Sequence, residues 1–285
     1  MPELPEVSAL AGGLTERMHG HAISAARLRS IGALKTYDPP LQALVGRTVG
    51  RWTRHGKFLD MTAGDLHLVV HLARAGWIRW RDRLDEAKPT LRGPLALQLE
   101  LDDGSGIDIT EQGTEHRLAV YVVHDPADVP GIARLGVDVL DDSLDAARLH
   151  ELLHEWRGQL KTVLADQSLV AGVGNAYSDE ILHSARLSPF RQATALTEAE
   201  SARLHVALRS VMSDAVERAR GVDIADLKPD KKQHLSVHGR TGEPCPVCAD
   251  TIREVSLSTR SFQYCPTCQT GGRVLADRRL SRLLR

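Results

Sequence analysis

Four cysteines, Cys245, Cys248, Cys265 and Cys268, stand close together near the C-terminal end, and the rest of the 285-residue chain has none. Each Cys-x2-Cys pair can set two sulfurs on one cation from a tight turn, and four sulfurs close a tetrahedral site. Such a set suits one structural Zn2+ and leaves no open position for chemistry; an iron–sulfur group or redox pairs are the less favoured readings. Arg260 lies between the pairs, where a guanidinium can reach a phosphate or a base edge; a solvated surface charge is the plain alternative. At the other end the chain reads Met1-Pro2-Glu3-Leu4-Pro5-Glu6-Val7. Removal of Met1 would leave Pro2 with a secondary amine. An α-amino group with a pKa of about 8 is partly unprotonated at neutral pH. It can attack the C1′ carbon of a sugar and form an imine, and Glu3 beside it could move protons. Taken alone, these seven residues read more simply as a proline-rich helix start.

The elements that must position these groups follow from periodicity. Val7, Leu10, Ala11, Leu14 and Met18 keep helical spacing up to Gly20. Short strand-like runs follow at 22–28, 48–51, 58–61, 66–71, 77–80, 95–101 and 118–123, separated by turns such as Ala63-Gly64-Asp65. That spacing predicts an antiparallel sandwich or barrel. After Pro130-Gly131 helical periodicity takes over at 144–156, 160–166, 176–185 and 197–220. Strands at 251–257 and 261–264 make a hairpin between the cysteine pairs, too small to fold without its metal. The expected class is multidomain α+β: an N-terminal helix plus antiparallel β-sandwich (1–130), a helical domain (131–225), a polar linker (226–240), a zinc-finger hairpin (241–270) and a basic tail (271–285). In the tail Arg273, Arg278, Arg279, Arg282 and Arg285 alternate with leucines as in a short amphipathic helix, fit either for DNA or for packing on the helical domain.

Composition excludes a collagen, a disordered tail protein and a disulfide-stapled mini-protein: 42% of residues are hydrophobic and 26% charged. No apolar run is long enough to cross a bilayer, and the start lacks a basic–apolar–small signal pattern; a cytoplasmic protein with no membrane partner is expected. The net charge of −1 by itself argues against a nucleic-acid partner. Its distribution argues otherwise, because residues 228–285 carry +6 and the rest −7.

The N-terminus together with the cysteine module resembles the formamidopyrimidine-DNA glycosylase/endonuclease VIII family of base-excision-repair enzymes, with Leu4 and Pro5 resembling its formamidopyrimidine branch. The likeness spans nearly the whole chain, and its motifs come in the family's order. Arg54-His55-Gly56-Lys57-Phe58-Leu59 is similar to the segment with the β-hairpin lysine, and His71-Leu72 to a His-Leu-Gly-Met stretch. Asp166-Gln167 through Val170–Tyr177 is similar to the helix–two-turn–helix signature, and Gly239–Cys245 to the approach to the zinc finger. The resemblance implies a glycosylase with abasic-site lyase activity, acting as a monomer on damaged or abasic DNA. In it Pro2 would be the nucleophile, Glu3 the acid/base group, and Lys57 a catalytic phosphate-binding group. Asn175 and Arg260 would hold the phosphates flanking the extruded nucleotide, because extrusion needs a firm grip on both sides. His71, Arg74 and Lys161 would also meet DNA, with Glu6 and Glu180 near the site. The bend at Gly172, Gly174 and Asn175 precedes a helix whose N-terminal amides suit phosphate, and Asn175 could serve there as N-cap.

Two departures stand out. The resemblance implies a methionine where this chain has Arg74, and an Arg-x-Phe pair in a basic loop where it reads Thr110–Ala119, with no Phe and with Glu111 and Glu115. A base-stack filler should be apolar or planar. Arg74 could stack through its guanidinium; Trp77 is a second candidate, although core packing is its more ordinary role. These changes speak against 8-oxoguanine as the preferred lesion. The alternative reading is a DNA-binding protein of the same fold with lost or altered glycosylase activity; a protein-binding zinc ribbon is the third.

Overall fold

The computed structural model describes residues 1–84, 93–113, 115–257 and 260–276, with the backbone alone at Leu257 and Arg260. The chain divides into two compact units, Met1–Arg134 with Arg218–Lys228, and Leu135–Glu217 with Pro229–Arg285.

The first unit opens with α1 (Leu4–Met18), whose apolar stripe Leu4, Val7, Leu10, Leu14 and Met18 is fully buried. Eight strands follow: β1 (Ile23–Leu28), β2 (Val49–His55), β3 (Phe58–Ala63), β4 (Leu66–His71), β5 (Gly76–Arg81), β6 (Leu95–Leu101), β7 (Gly106–Glu111) and β8 (Ala119–Val123). They form two four-stranded antiparallel sheets, ordered β1-β6-β7-β5 and β2-β3-β4-β8. The expected antiparallel β-domain is therefore present, built of two sheets. Helix α1 lies on β2, tied there by the Trp52 N–H donating to Thr15 Oγ1 at 2.9 Å. Ala219, Ile224 and Leu227 complete the same core.

Strand β7 is absent from the sequence reading. All six of its residues are buried, polar ones included. Asp108, a poor strand former in isolation, accepts from Gln98 Nε2 at 2.9 Å and from Arg81 Nε at 2.8 Å. The neighbouring strands supply what the local sequence lacks. Trp77 is core, as its ordinary role suggests: it is buried in the apolar cluster, and Lys228 Nζ lies 4.3 Å from its ring centroid.

The second unit carries the short parallel pair β9 (Val137–Asp138) and β10 (Val170–Ala171), then α2 (Ala146–Glu155), α3 (Leu160–Leu164), α4 (Asn175–Ser184) and α5 (Glu198–Ala219). The segment read as a linker contains helix α6 (Leu227–His234), largely polar after its buried first residue Leu227. The hairpin β11 (Arg253–Leu257) and β12 (Arg260–Tyr264) follows, then α7 (Pro266–Thr270). Helix α7 stops at Gly271, which adopts the left-handed conformation that favours glycine. Residues 271–276 are not helical. The remainder of the tail read as an amphipathic helix, 277–285, lies outside the described residues.

Gly131 shows how closely the hairpin that carries Lys57 is packed. A Cβ there would sit 2.4 Å from the Phe58 ring. Gly131→Ala is expected to destabilise the first unit by roughly 1–3 kcal/mol, because the ring or backbone must move. Urea unfolding against the parent protein checks this.

Candidate functional site

Helix α1 begins on the residues singled out for chemistry. Pro2 is buried and Met1 exposed. Glu3 is the N-cap, with an extended backbone, and it forms a reciprocal capping box with Glu6. The Glu3 N–H donates to Glu6 Oε2 at 2.8 Å, and the Glu3 carboxylate accepts from the Glu6 N–H. Both carboxylates are withdrawn from solvent, at 2% and 3% exposure, and both sit at the positive end of the helix. Glu6 therefore holds the peptide next to Pro2, and Glu3 is anchored beside it.

Lys57 occupies the two-residue turn between β2 and β3, after Gly56 at φ +53°. Turn lysines are ordinarily solvated, yet Lys57 is only 6% exposed. Phe58 pairs across the sheet with His71, their ring centroids 4.6 Å apart. Burial first, and then the Lys57 charge beside it, push the His71 pKa down to about 4, so its ring is neutral at pH 7. Below the turn the Asp60 carboxylate accepts from His55 Nε2 at 3.0 Å and from His67 Nδ1 at 2.8 Å, bracing β2, β3 and β4 together. Burial by itself would raise the Asp60 pKa; the two histidines outweigh it and hold the carboxyl below its ordinary value.

Arg74 is exposed on the turn from β4 to β5. That turn is tight: the Gly76 N–H donates to Leu72 O at 2.8 Å, and a Cβ on Gly76 would lie 2.2 Å from that oxygen. The divergent loop leaving β7 lies against it, the Gln112 N–H donating to Ala75 O at 3.2 Å. Buried Glu111 gathers the loop: its Oε1 accepts from the Arg117 and Leu118 N–H groups at 2.7 and 2.8 Å, and His116 Nδ1 is 3.6 Å from Oε2. Among the described residues this region exposes the side chains of Arg74, Gln112, Glu115, His116 and Arg117, all of them polar.

In the second unit α4 is the organising element. Gly174, not Asn175, is its N-cap; Asn175 is the first helical residue, and its Nδ2 donates to Ser261 O at 2.9 Å. The amide that was free to cap the helix is instead spent on the strand that starts at Arg260, so Asn175 and the Arg260 backbone are brought together. The Arg260 side chain is outside the described set. Lys161, expected at DNA, directs its ammonium inward to Asn175 O, Ser178 Oγ and Asp179 Oδ1, the last at 2.6 Å. Asp179 is fully buried; its Oδ2 accepts from His238 Nδ1 at 2.6 Å and from the Gln263 N–H at 3.2 Å. Glu180 receives the consecutive N–H groups of Ser236, Val237 and His238 at 2.7 to 2.9 Å. Lys161 and Glu180 thus hold together the framework around Asn175. Asp60, Glu111 and Asp179 were missed as organisers of these segments; for Asp60 the available signal was a lone carboxylate in the otherwise largely apolar β3.

The four cysteines converge. Their sulfurs lie within 4.8 Å of one another, with Cys245–Cys268 at 3.9 Å, Cys248–Cys265 at 3.3 Å and Cys248–Cys268 at 3.4 Å. A tetrahedron with Zn–S bonds of about 2.3 Å has edges of roughly 3.8 Å, so the donor set fits one structural zinc.

An N-terminal helix on a two-sheet β-domain, a helical unit and a four-cysteine finger define a class of multidomain α+β zinc proteins. Residues 1–114 match the formamidopyrimidine-DNA glycosylase N-terminal domain, 135–226 the formamidopyrimidine-DNA glycosylase H2TH domain, and 242–271 the zinc finger found in FPG and IleRS. The formamidopyrimidine-DNA glycosylase of Symbiobacterium thermophilum is 36% identical over 94% of this chain and 89% of its own. A shorter "Uncharacterized formamidopyrimidine-DNA glycosylase-like protein" of Mycobacterium tuberculosis is 57% identical over 56% of this chain and 99% of its own. The crystal structure of MutM (Fpg) from Thermus thermophilus superposes with a TM-score of 0.80 at 31% identity, covering 94% and 98% of the two chains. The chain belongs to the formamidopyrimidine-DNA glycosylase family.

Two outcomes follow from this geometry. A histidine whose folded pKa is depressed contributes stability that is complete above its unfolded value, near 6.5, and is lost as the pH falls toward 4. His71→Gln is therefore expected to flatten the stability profile between pH 6.5 and 4, and an NMR titration of the parent should place the His71 midpoint near 4. Separately, Cys265→Ser should abolish the one zinc per chain found by elemental analysis and unfold the β11–β12 hairpin.

Proposed function

We propose that this chain is a base-excision-repair DNA glycosylase with abasic-site lyase activity, acting as a monomer in the cytoplasm on damaged or abasic DNA. The observation that carries the reading is Pro2 buried beside Glu3 and locked to it by the Glu3–Glu6 capping box, in a chain of this family. With Met1 removed, the Pro2 nitrogen attacks C1′ of the damaged nucleotide and gives up its proton, the base leaves, and the C1′–O4′ bond then opens with protonation of O4′, so that the sugar stays attached as an iminium. Glu3, next to Pro2 in the chain, moves protons at the deoxyribose. The iminium acidifies the neighbouring sugar carbon, so elimination of the phosphate cuts the strand. Lys57 grips a phosphate beside the lesion; neutral His71 adds no competing positive charge there. Asn175 and Arg260 hold the flanking phosphates. Lys161 serves that grip indirectly, by fixing the first turn of α4.

The altered-activity reading is favoured by one feature: the Leu72–Gly76 turn and the loop held by Glu111 expose charged and titratable side chains and bury Leu72 and Leu118. A planar filler for a vacated base stack would then come from Arg74, His116 or Arg117. This favours abasic sites and oxidised or ring-opened bases other than 8-oxoguanine.

Borohydride trapping on abasic-site DNA is the test. The protein lacking Met1 should give a covalent adduct, and Pro2→Gly should lower its rate about 10³-fold or more. Glu3→Gln should cost about 10²- to 10⁴-fold in base release, and Lys57→Ala about 10- to 100-fold, the loss of a hydrogen bond to a charged group. Absence of an adduct alongside intact, salt-sensitive binding would favour the second reading.

A further inference from the structure

The last turn of α4 holds a buried histidine that the proposed reaction does not use. His183 Nε2 lies 3.3 Å from Cys245 Sγ, across 62 residues of sequence. Cys245 is buried with Cys265 against Val237 and Ile252. Four thiolates on one Zn2+ leave a net charge of −2, and an apolar wall cannot solvate it. The charge must be met by donors. At Cys245 the His183 ring nitrogen is within reach to serve as one such donor. A metal-bound thiolate has no proton to give, so the hydrogen in this contact belongs to Nε2.

We propose that His183 is an outer partner of the zinc site: its Nε2–H donates to the Cys245 sulfur, draws charge from it and slows loss of the metal. The histidine is not part of the finger, so this contact makes α4 part of the metal centre. The same helix presents Asn175 at its start and grips the residues leading into the finger through Asp179 and Glu180. Metal retention is therefore linked to the helix that sets Asn175, whatever reaction the chain performs.

The test reads zinc, not activity. Zinc transfer to excess chelating dye is followed for the full-length zinc-loaded protein, His183→Phe and His183→Gln. Phe keeps an aromatic ring and removes the donor; Gln keeps an N–H of comparable reach. His183→Phe should lose zinc about 10- to 100-fold faster, the range for lost outer-shell partners, with His183→Gln close to the parent. An unchanged rate in His183→Phe, or an equally fast rate in His183→Gln, would overturn the proposal. A second measurement needs no variant: nitrogen NMR of the parent protein should show Nε2 of His183 protonated in the zinc-loaded form, and a bare Nε2 would equally overturn it.

Discussion

A charge withdrawn from water must be met by a partner, and both units are built around that requirement. The Lys161–Asp179 pair shows it most fully. The ammonium meets Asn175 O, Ser178 and Asp179, while the other Asp179 oxygen meets His238 and the β12 backbone. Removing one partner would strand the other, at a cost of about 3–5 kcal/mol. Helix α4 is consequently fixed to α3, to the 236–238 segment and to the hairpin at once. Asn175 inherits that fixation, because it belongs to the same first turn.

The first unit solves the same problem with smaller pieces. Glu3 and Glu6 are buried because the helix start offers each a backbone N–H and a positive end. Asp60 is buried because two histidines from neighbouring strands reach it. Glu111 is buried because the loop after β7 folds over it. In each case the partner is a segment carrying a proposed functional residue: Pro2, Lys57, or exposed Arg117 of the divergent loop. Stability and positioning are thus served by the same contacts, and a substitution at these carboxylates should disturb both.

Much of the architecture was legible wherever a signal repeats. Helix α1 announces itself through five apolar residues at helical spacing, and the zinc site through two Cys-x2-Cys pairs. Strand β7 and helix α6 were not legible, and for opposite reasons. Strand β7 buries its polar residues in a network with β5 and β6 that no local window contains. Helix α6 is almost wholly polar, so it has no apolar face to show a period. Asn175 illustrates a finer limit: its type and place suit an N-cap, but the carbonyl of Ser261, 86 residues away, claims its amide.

The sequence by itself determined the donor set for zinc, the helix that starts at the chemical end of the chain, the antiparallel-then-helical plan, and the resemblance that the family comparison bears out. These rest on residue identity and short spacing, and both survive without knowledge of the partners. Tertiary structure alone decided where the charges go: that Lys161 and Glu180 face inward, that Lys57 is enclosed, that burial with the Lys57 charge beside it keeps His71 neutral, that Glu111 gathers the divergent loop, and that His183 touches a zinc ligand. Each of those outcomes depends on contacts between residues distant in sequence, and the energy of a buried charge is set by the groups around it.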